Sequence, residues 1–392
     1  MKKKCLLILK WPIFLNNLLI NKFSKFYEVE HLYIENFKNE TYSEITEKIN
    51  ELIVSKKIEI VFFDVDFIKF INLFFINKIK NVKKAIITFD DYALHEMNAI
   101  TATGCDIVLT HCPFSQLKYK EKGFESYCMC IENDGEIFKN YNTEKEIDVL
   151  FFGRLNPDRK EIIDYISNNG ISVKLVGQEN NFVSDEEIAK LISKSKIVLN
   201  LSKSTGKTVI NYANEDTYKF WYLMKGRVIQ AGLCGTLCVS EFSPGQELMY
   251  NNNELPTFYS KEECLEKIKN FLNNKSLLEE YTKRFSNKTI NSFEEKTNFQ
   301  PIFNALEKKI SKKVNLYQIP YWYLRIAAKQ IILKNIHITR LLKKVPDFKE
   351  VFYLIKDCSL KSKIMIFFES ICNILWYSII ISIKKRKRNL KN

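Results

Sequence analysis

Three short stretches place side chains that could do chemistry at the ends of apolar runs. In FFGRLNPDRKE (151–161), Gly153 closes a strand-like run and Arg154 and Arg159 follow in a loop and a helix start. Gly153 allows a tight turn. A helix N-terminus attracts anions, and two guanidinium groups there would hold a diphosphate through paired hydrogen bonds that lysine cannot match. The alternative is a solvated loop with ordinary surface charge. In MKGRVIQAGLCGTLCVSE (224–241), Lys225 and Arg227 open a helix of small residues, Gly235 ends it, and the next strand delivers Glu241. A cation for phosphate and an acceptor for sugar or ribose hydroxyls would then share one pocket, because every hydroxyl has a proton to donate. The alternative is a buried structural Arg–Glu pair. In TFDDYALHEMN (88–98), Asp90 and Asp91 stand side by side with His95 a helical turn later. Such acids serve as a general base, position a hydroxyl, or simply cap the following helix. His95 alone also fits an ordinary surface histidine.

A fourth stretch is excluded. Gly206-Lys207-Thr208 imitates the end of a phosphate-binding P-loop, but Leu201 stands where its first glycine must be. Without that glycine the backbone does not curl around a phosphate, so an ATPase or kinase is rejected.

The elements that must position these residues alternate. Apolar runs at 5–10, 29–34, 58–64, 84–90, 106–110 and 127–131 are separated by amphipathic segments such as 45–57 and 67–80. Strands apolar on both faces and alternating with helices predict a parallel sheet covered on both sides. The polar segment 132–146 breaks the pattern and predicts a linker. The alternation resumes with strands at 147–153, 171–177, 196–201 and 236–240, and helices at 159–170, 185–195, 261–274 and 276–287. Two βα domains, 1–140 and 141–310, imply a cleft, and ligands of open parallel sheets bind beyond the carboxyl ends of the strands.

The chain has 392 residues, enough for two domains and an extension, and 46% hydrophobic residues, which predicts packed cores. Its net charge of +14 lies entirely from Ser311 onward, so the folded body is neutral and nucleic-acid binding is not expected. The ten cysteines include no Cys-x-x-Cys pair and no histidine at zinc spacing. No metal site is expected, and a reducing, cytoplasmic compartment is. The opening MKKKCLLILKWPIF imitates a secretion signal, but Lys10 and Pro12 interrupt it and no cleavage site follows; Lys4–Lys10 is expected to be a first buried strand.

These pieces resemble bacterial glycosyltransferases of the GT-B architecture, and among them the spore-coat CgeB-like group. The matching stretches are GRLNPDR (153–159), KGRVIQAGLCGTLCVSE (225–241), the run from PGQELMYNNN to EEYTKRFSN, and the order DD, CDIVLT, YKEKGFES over 90–126. The resemblance covers roughly residues 84–305. It implies an α/β fold of two Rossmann-like domains facing a cleft, a nucleotide-diphosphate sugar held by the second domain as substrate rather than cofactor, and an acceptor held by the first. Arg154 and Arg159 fall on the family's basic loop and Arg227 on the arginine of its KGR segment. Gln230 falls where related enzymes carry a glutamate that contacts the donor, and Tyr222 where a second glutamate is common. That departure leaves the stereochemical course open and admits a catalytically inactive module that binds a glycan or a protein at the membrane. A nucleotide-sugar epimerase would leave the basic tail unexplained.

That tail, 311–392, is expected to be a basic helical extension. Residues 321–345 interleave aromatic and aliphatic residues with Arg325, Lys329, Lys334, Arg340, Lys343 and Lys344. This predicts attachment to an anionic membrane surface through residues 321–388, peripheral to the inner face of the cell membrane, beside a glycan or lipid-linked acceptor. The run 364–383 is long enough to span, but it is basic on both flanks and carries Glu369 and Asn373, so surface attachment is the reading. Packing of these helices on the protein itself is the alternative.

Overall fold

The computed structural model describes residues 2–9, 14–37, 40–65, 71–89, 91–130, 133–177, 183–203, 222–307, 319–339, 348–356 and 358–372. The first sheet is built from β1 (Lys4–Leu9), β2 (Glu28–Tyr33), β3 (Ile60–Val65), β4 (Lys83–Thr88), β5 (Ile107–Thr110) and β6 (Ser126–Cys128). Their order is β2-β1-β3-β4-β5-β6, and every pairing is parallel. Helices α1 (Phe14–Ser24), α2 (Tyr42–Lys56), α3 (Leu73–Lys78), α4 (Asp91–Ala102) and α5 (Pro113–Glu121) connect them. The start of the chain is therefore a core strand: Cys5 to Leu9 are fully buried. Alternate residues of β1 serve opposite faces, Leu6 and Ile8 packing with α2 and Cys5, Leu7 and Leu9 with α1.

The second sheet contains β7 (Ile147–Phe152), β8 (Val173–Val176), β9 (Ser195–Asn200), β10 (Leu237–Glu241) and β11 (Thr257–Phe258), in the parallel order β11-β10-β9-β7-β8. Its helices are α6 (Pro157–Asn168), α7 (Asp185–Ser193), α8 (Gly226–Leu233), α9 (Lys261–Asn273) and α10 (Lys275–Thr297). Local chemistry sets their starts. The Asn156 side chain accepts from the Arg159 backbone N–H with Pro157 at the first turn of α6, and Ser184 with Glu187 closes a capping box on α7. The strand order reverses between β7 and β9, which is where such a sheet opens a crevice.

The chain then returns to the first domain. Before and within α11 (Gln300–Glu307), Phe299, Ile302 and Leu306 enter the face lined by Leu7 and Phe23, with Phe299 and Phe23 ring centroids 4.8 Å apart. Helix α12 (Tyr321–Thr339) buries Tyr323, Leu324, Ala327, Ala328 and Ile331 in the opposite face. The Tyr323 hydroxyl accepts from the Leu73 N–H at 2.9 Å and lies 2.9 Å from Thr101 Oγ1. This revises part of the reading of 321–345 as a helix lying on a membrane: the apolar side chains from Tyr323 to Ile331 are spent on the protein's own core, and 340–345 lie outside the described residues. Helices α13 (Phe348–Leu354) and α14 (360–372) follow. Among the described residues no helix is long and apolar enough to cross a membrane; residues 373–383 lie outside them.

Candidate functional site

The two basic stretches come together at the β7/β9 crevice. Gly153 directly follows β7 with φ +108°, a region that favours glycine, and its N–H donates to Val176 O at 3.0 Å. Arg154 is exposed in the loop beyond. Arg159, in the first turn of α6, is 4% exposed and folds back: Nη1 donates to Arg154 O at 2.8 Å and Nη2 to Lys203 O at 3.1 Å. It thereby ties the loop after β7 to the loop after β9.

Arg227 enters from the first turn of α8. It is 9% exposed, its Nη1 is buried with no hydrogen-bond partner, and no acid pairs with it among the described residues. Its guanidinium lies over the rings of Phe151 (5.0 Å) and Phe152 (5.6 Å) at the end of β7. Burial first, and the positive charge of Arg159 second, pull its pKa down to about 9. Two buried cations thus share a crevice at a helix N-terminus. An unpaired buried charge costs several kcal/mol, so the arrangement suits an anion. Lys225 is the half-buried N-cap residue of α8, and Gln230 is half-buried one turn in.

Glu241 ends β10 at the same edge but does not pair with Arg227. Its Oε2 accepts from the backbone N–H groups of Ser202 (2.8 Å) and Lys203 (2.9 Å) and from Ser202 Oγ (3.3 Å). Through that oxygen the residue also shapes the loop after β9. Sequence reading tested that loop only as a P-loop and missed its role; the Gly206-Lys207-Thr208 stretch itself lies outside the described residues. Among the described residues no three His, Cys, Asp or Glu gather as a metal set.

The acidic stretch of the first domain is a different matter. Asp90 lies outside the described residues. Asp91 is fully buried, and its carboxylate accepts from Thr88 Oγ1 (2.6 Å), Thr110 Oγ1 (2.6 Å), Asn98 Nδ2 (2.8 Å) and Tyr119 OH (2.9 Å). Both oxygens are saturated, so Asp91 ties β4, β5, α4 and α5 together and is not a free base. His95 is 3% exposed with both ring nitrogens buried and unbonded, against Tyr119 at 4.5 Å. Burial lowers its pKa to about 3, so it is a neutral core ring. These two assignments as catalytic groups are corrected by the burial of both side chains. The histidine at the sheet edge is another one. His111 follows β5 directly, is half-buried, stacks on Phe89 at 5.6 Å, and has Nδ1 3.3 Å from Thr88 O. A carbonyl only accepts, so that contact makes Nδ1 the donor and leaves Nε2 with the lone pair. The signal was present in LTHCP (109–113), a histidine immediately beyond a strand.

With this geometry in hand, the likenesses to known proteins can be placed. Residues 159–303 match the model of a family described as glycosyl transferase-like, the stretch that contains Arg159, Arg227 and Glu241. No curated protein matches the chain. Among solved structures, sucrose-phosphate synthase from Thermosynechococcus elongatus is similar with a TM-score of 0.51 and 11% identity, over 78% of this chain and 97% of that one. Anabaena HepE in complex with UDP and glucose gives 0.53 and 12%, over 77% and 99%. A glycosyltransferase from Rickettsia africae gives 0.51 and 12%, over 80% and 99%. At these identities the likeness is one of fold. The chain is an α/β protein of two-domain GT-B fold, and that fold together with the match of residues 159–303 supports a glycosyltransferase.

Proposed function

We propose that the chain transfers a sugar from a nucleotide-diphosphate sugar to a glycan or lipid-linked acceptor at the inner face of the cell membrane. The observation that carries this is Arg227, a buried guanidinium with an unsatisfied Nη1, a cationic neighbour and no paired acid among the described residues. A diphosphate supplies negative charge beside that guanidinium. HepE, a fold relative, binds UDP and glucose, which fits the same donor class.

In this reading the acceptor hydroxyl attacks the anomeric carbon, the bond from that carbon to the diphosphate oxygen breaks, and the electron pair leaves with the nucleoside diphosphate. Arg227 and Arg159 stabilise the charge that grows on the leaving group, and the N-terminus of α8 adds its dipole. They do so without a metal ion in this scheme. The exposed Arg154 and the N-cap Lys225 flank the phosphates, and Gln230 faces the donor from the next turn. His111 Nε2 takes the acceptor proton from the first domain. Calorimetry of the full chain with nucleoside diphosphates, beside Arg227→Ala, tests the donor site: a folded wild type that binds none of them removes it.

A second reading has one observation in its favour. Asp91 and His95 are sealed into the first domain, which leaves fewer catalytic groups there than the sequence promised. A module that binds a nucleotide sugar or glycan without turnover fits that loss. Nucleotide binding with no release of nucleoside diphosphate across acceptor pools would establish it.

A further inference from the structure

Helix α14 presents an unusual face. Leu360, Ile364, Phe368 and Ile371 are 74%, 59%, 65% and 37% exposed, and their spacing sets them in one stripe. Met365 borders the stripe, and exposed Phe352 of α13 stands nearby with its ring 5.3 Å from that of Phe367. The opposite side, Ile366 and Ser370, is buried on the protein, and Ile366 joins the core of the first domain. The helix therefore has an inner apolar contact and a second, outer apolar stripe.

Charge decides what covers that outer stripe. Lys356 and Lys361 are exposed and Lys363 is half-buried. Among the described residues of this region the acids, Glu350 and Glu369, are both paired. Glu350 takes a hydrogen bond from Ser43 and pairs with Lys78 at 2.5 Å. Glu369 is held by a fork from Arg325, with Nε donating at 2.6 Å and Nη2 to the other oxygen. The described residues from 348 onward thus show solvent an apolar stripe and lysines, with both carboxylates neutralised. The sequence runs on into KKRKR at 384–388.

We infer that α14 lies in the interface of an anionic lipid bilayer, its Leu360–Ile364–Phe368–Ile371 stripe inserted among the acyl chains and its lysines on the headgroups. An amphipathic helix with a cationic border binds a bilayer in this way without crossing it. Helix α12 is the bracket rather than the membrane element: Tyr323 fixes it to the first domain and Arg325 fixes α14 to it. If the donor reading above holds, the bilayer then sits against the domain that receives the acceptor; the lipid contact itself does not depend on that reading.

The test is flotation of the full-length protein with vesicles of phosphatidylcholine alone, or of phosphatidylcholine mixed with phosphatidylglycerol. Ile364→Asp/Phe368→Asp serves as the variant, both positions being exposed. The expected result is salt-sensitive flotation with anionic vesicles only, weakened about tenfold or more in the variant at unchanged melting temperature. Failure of the wild type to float, equal flotation on neutral vesicles, or equal flotation of the variant overturns the inference. So does a wild-type dimer that the variant dissolves, with no lipid bound by either, since a second copy then covers the stripe. Nucleotide binding measured on the same preparations separates this outcome from a failure of the donor site.

Discussion

Arg227 Nη2 stands 2.7 Å from the point a Cβ on Gly153 would occupy. The guanidinium lies where a side chain on the β7 loop would be, and that loop turns at φ +108°. Gly153→Ala therefore meets both a backbone strain of about 1–3 kcal/mol and a displaced Arg227. The expected outcome is a lowered melting temperature together with loss of nucleoside diphosphate binding, read by calorimetry. An alanine variant that binds as tightly as wild type would show that Arg227 does not need that space.

Arg227→Met separates binding from stability. Methionine fills the space over Phe151 and Phe152 without a charge. Nucleoside diphosphate affinity should fall about a hundredfold, the scale for removing one side of a buried charge pair. The ligand-free protein should be as stable as wild type or more so, because an uncompensated buried cation is gone. Urea unfolding with and without nucleotide gives both numbers. A destabilised ligand-free variant would mean that Arg227 is a structural residue.

Asp91→Asn puts a donor among four donors. The hydroxyls of Thr88, Thr110 and Tyr119 lose a charged acceptor, and Asn98 meets an amide that can clash with its own. The loss should be about 3 kcal/mol or more in urea unfolding, and it should fall on the first domain. A variant that folds normally but loses turnover would restore Asp91 as a catalytic carboxylate.

His95 gives a pH signature. Its folded pKa is lowered to about 3 by burial, below the value of the unfolded chain near 6.5. Between those values the unfolded state carries a proton that the folded state refuses, so stability falls as pH drops through that window and is unaffected by this group above it. His95→Leu should flatten the acid limb of stability against pH between about 6.5 and 3. Parallel curves for the two proteins would place the acid sensitivity elsewhere.

His111→Ala should leave nucleotide binding intact and cut turnover by about a hundredfold or more, the ordinary contribution of a general base. Unchanged turnover, once an acceptor is in hand, would remove it from the scheme.

The sheets were legible because their central strands, such as β1, β3 and β5, are apolar on both faces and bounded by polar turns. The start of α6 was legible from Asn156-Pro157, and the convergence of Arg159 and Arg227 from their places after β7 and before β10. Burial was not legible. Asp91 and His95 look alike in sequence whether they line a cleft or a core, and only contacts with Thr110 and Tyr119, distant in the chain, decide it. β11 escaped notice because two residues, Thr257 and Phe258, have no periodicity to detect. The packing of α12 was not legible for a related reason: a helix that packs on its own domain and one that packs on lipid share a composition, and only the contacts of Tyr323 to Ile331 decide it.

The return of the chain has a consequence for biosynthesis. The first sheet leaves the ribosome first, yet its two faces wait for Phe299 to Leu306 and for Tyr323 to Ile331, with Ile366 later still. The described core of the second domain is complete by Phe293, before those segments are made. The earlier-made of the two domains is thus the later to close, and its apolar faces stay open until the residues from Phe299 to Ile366 have been made.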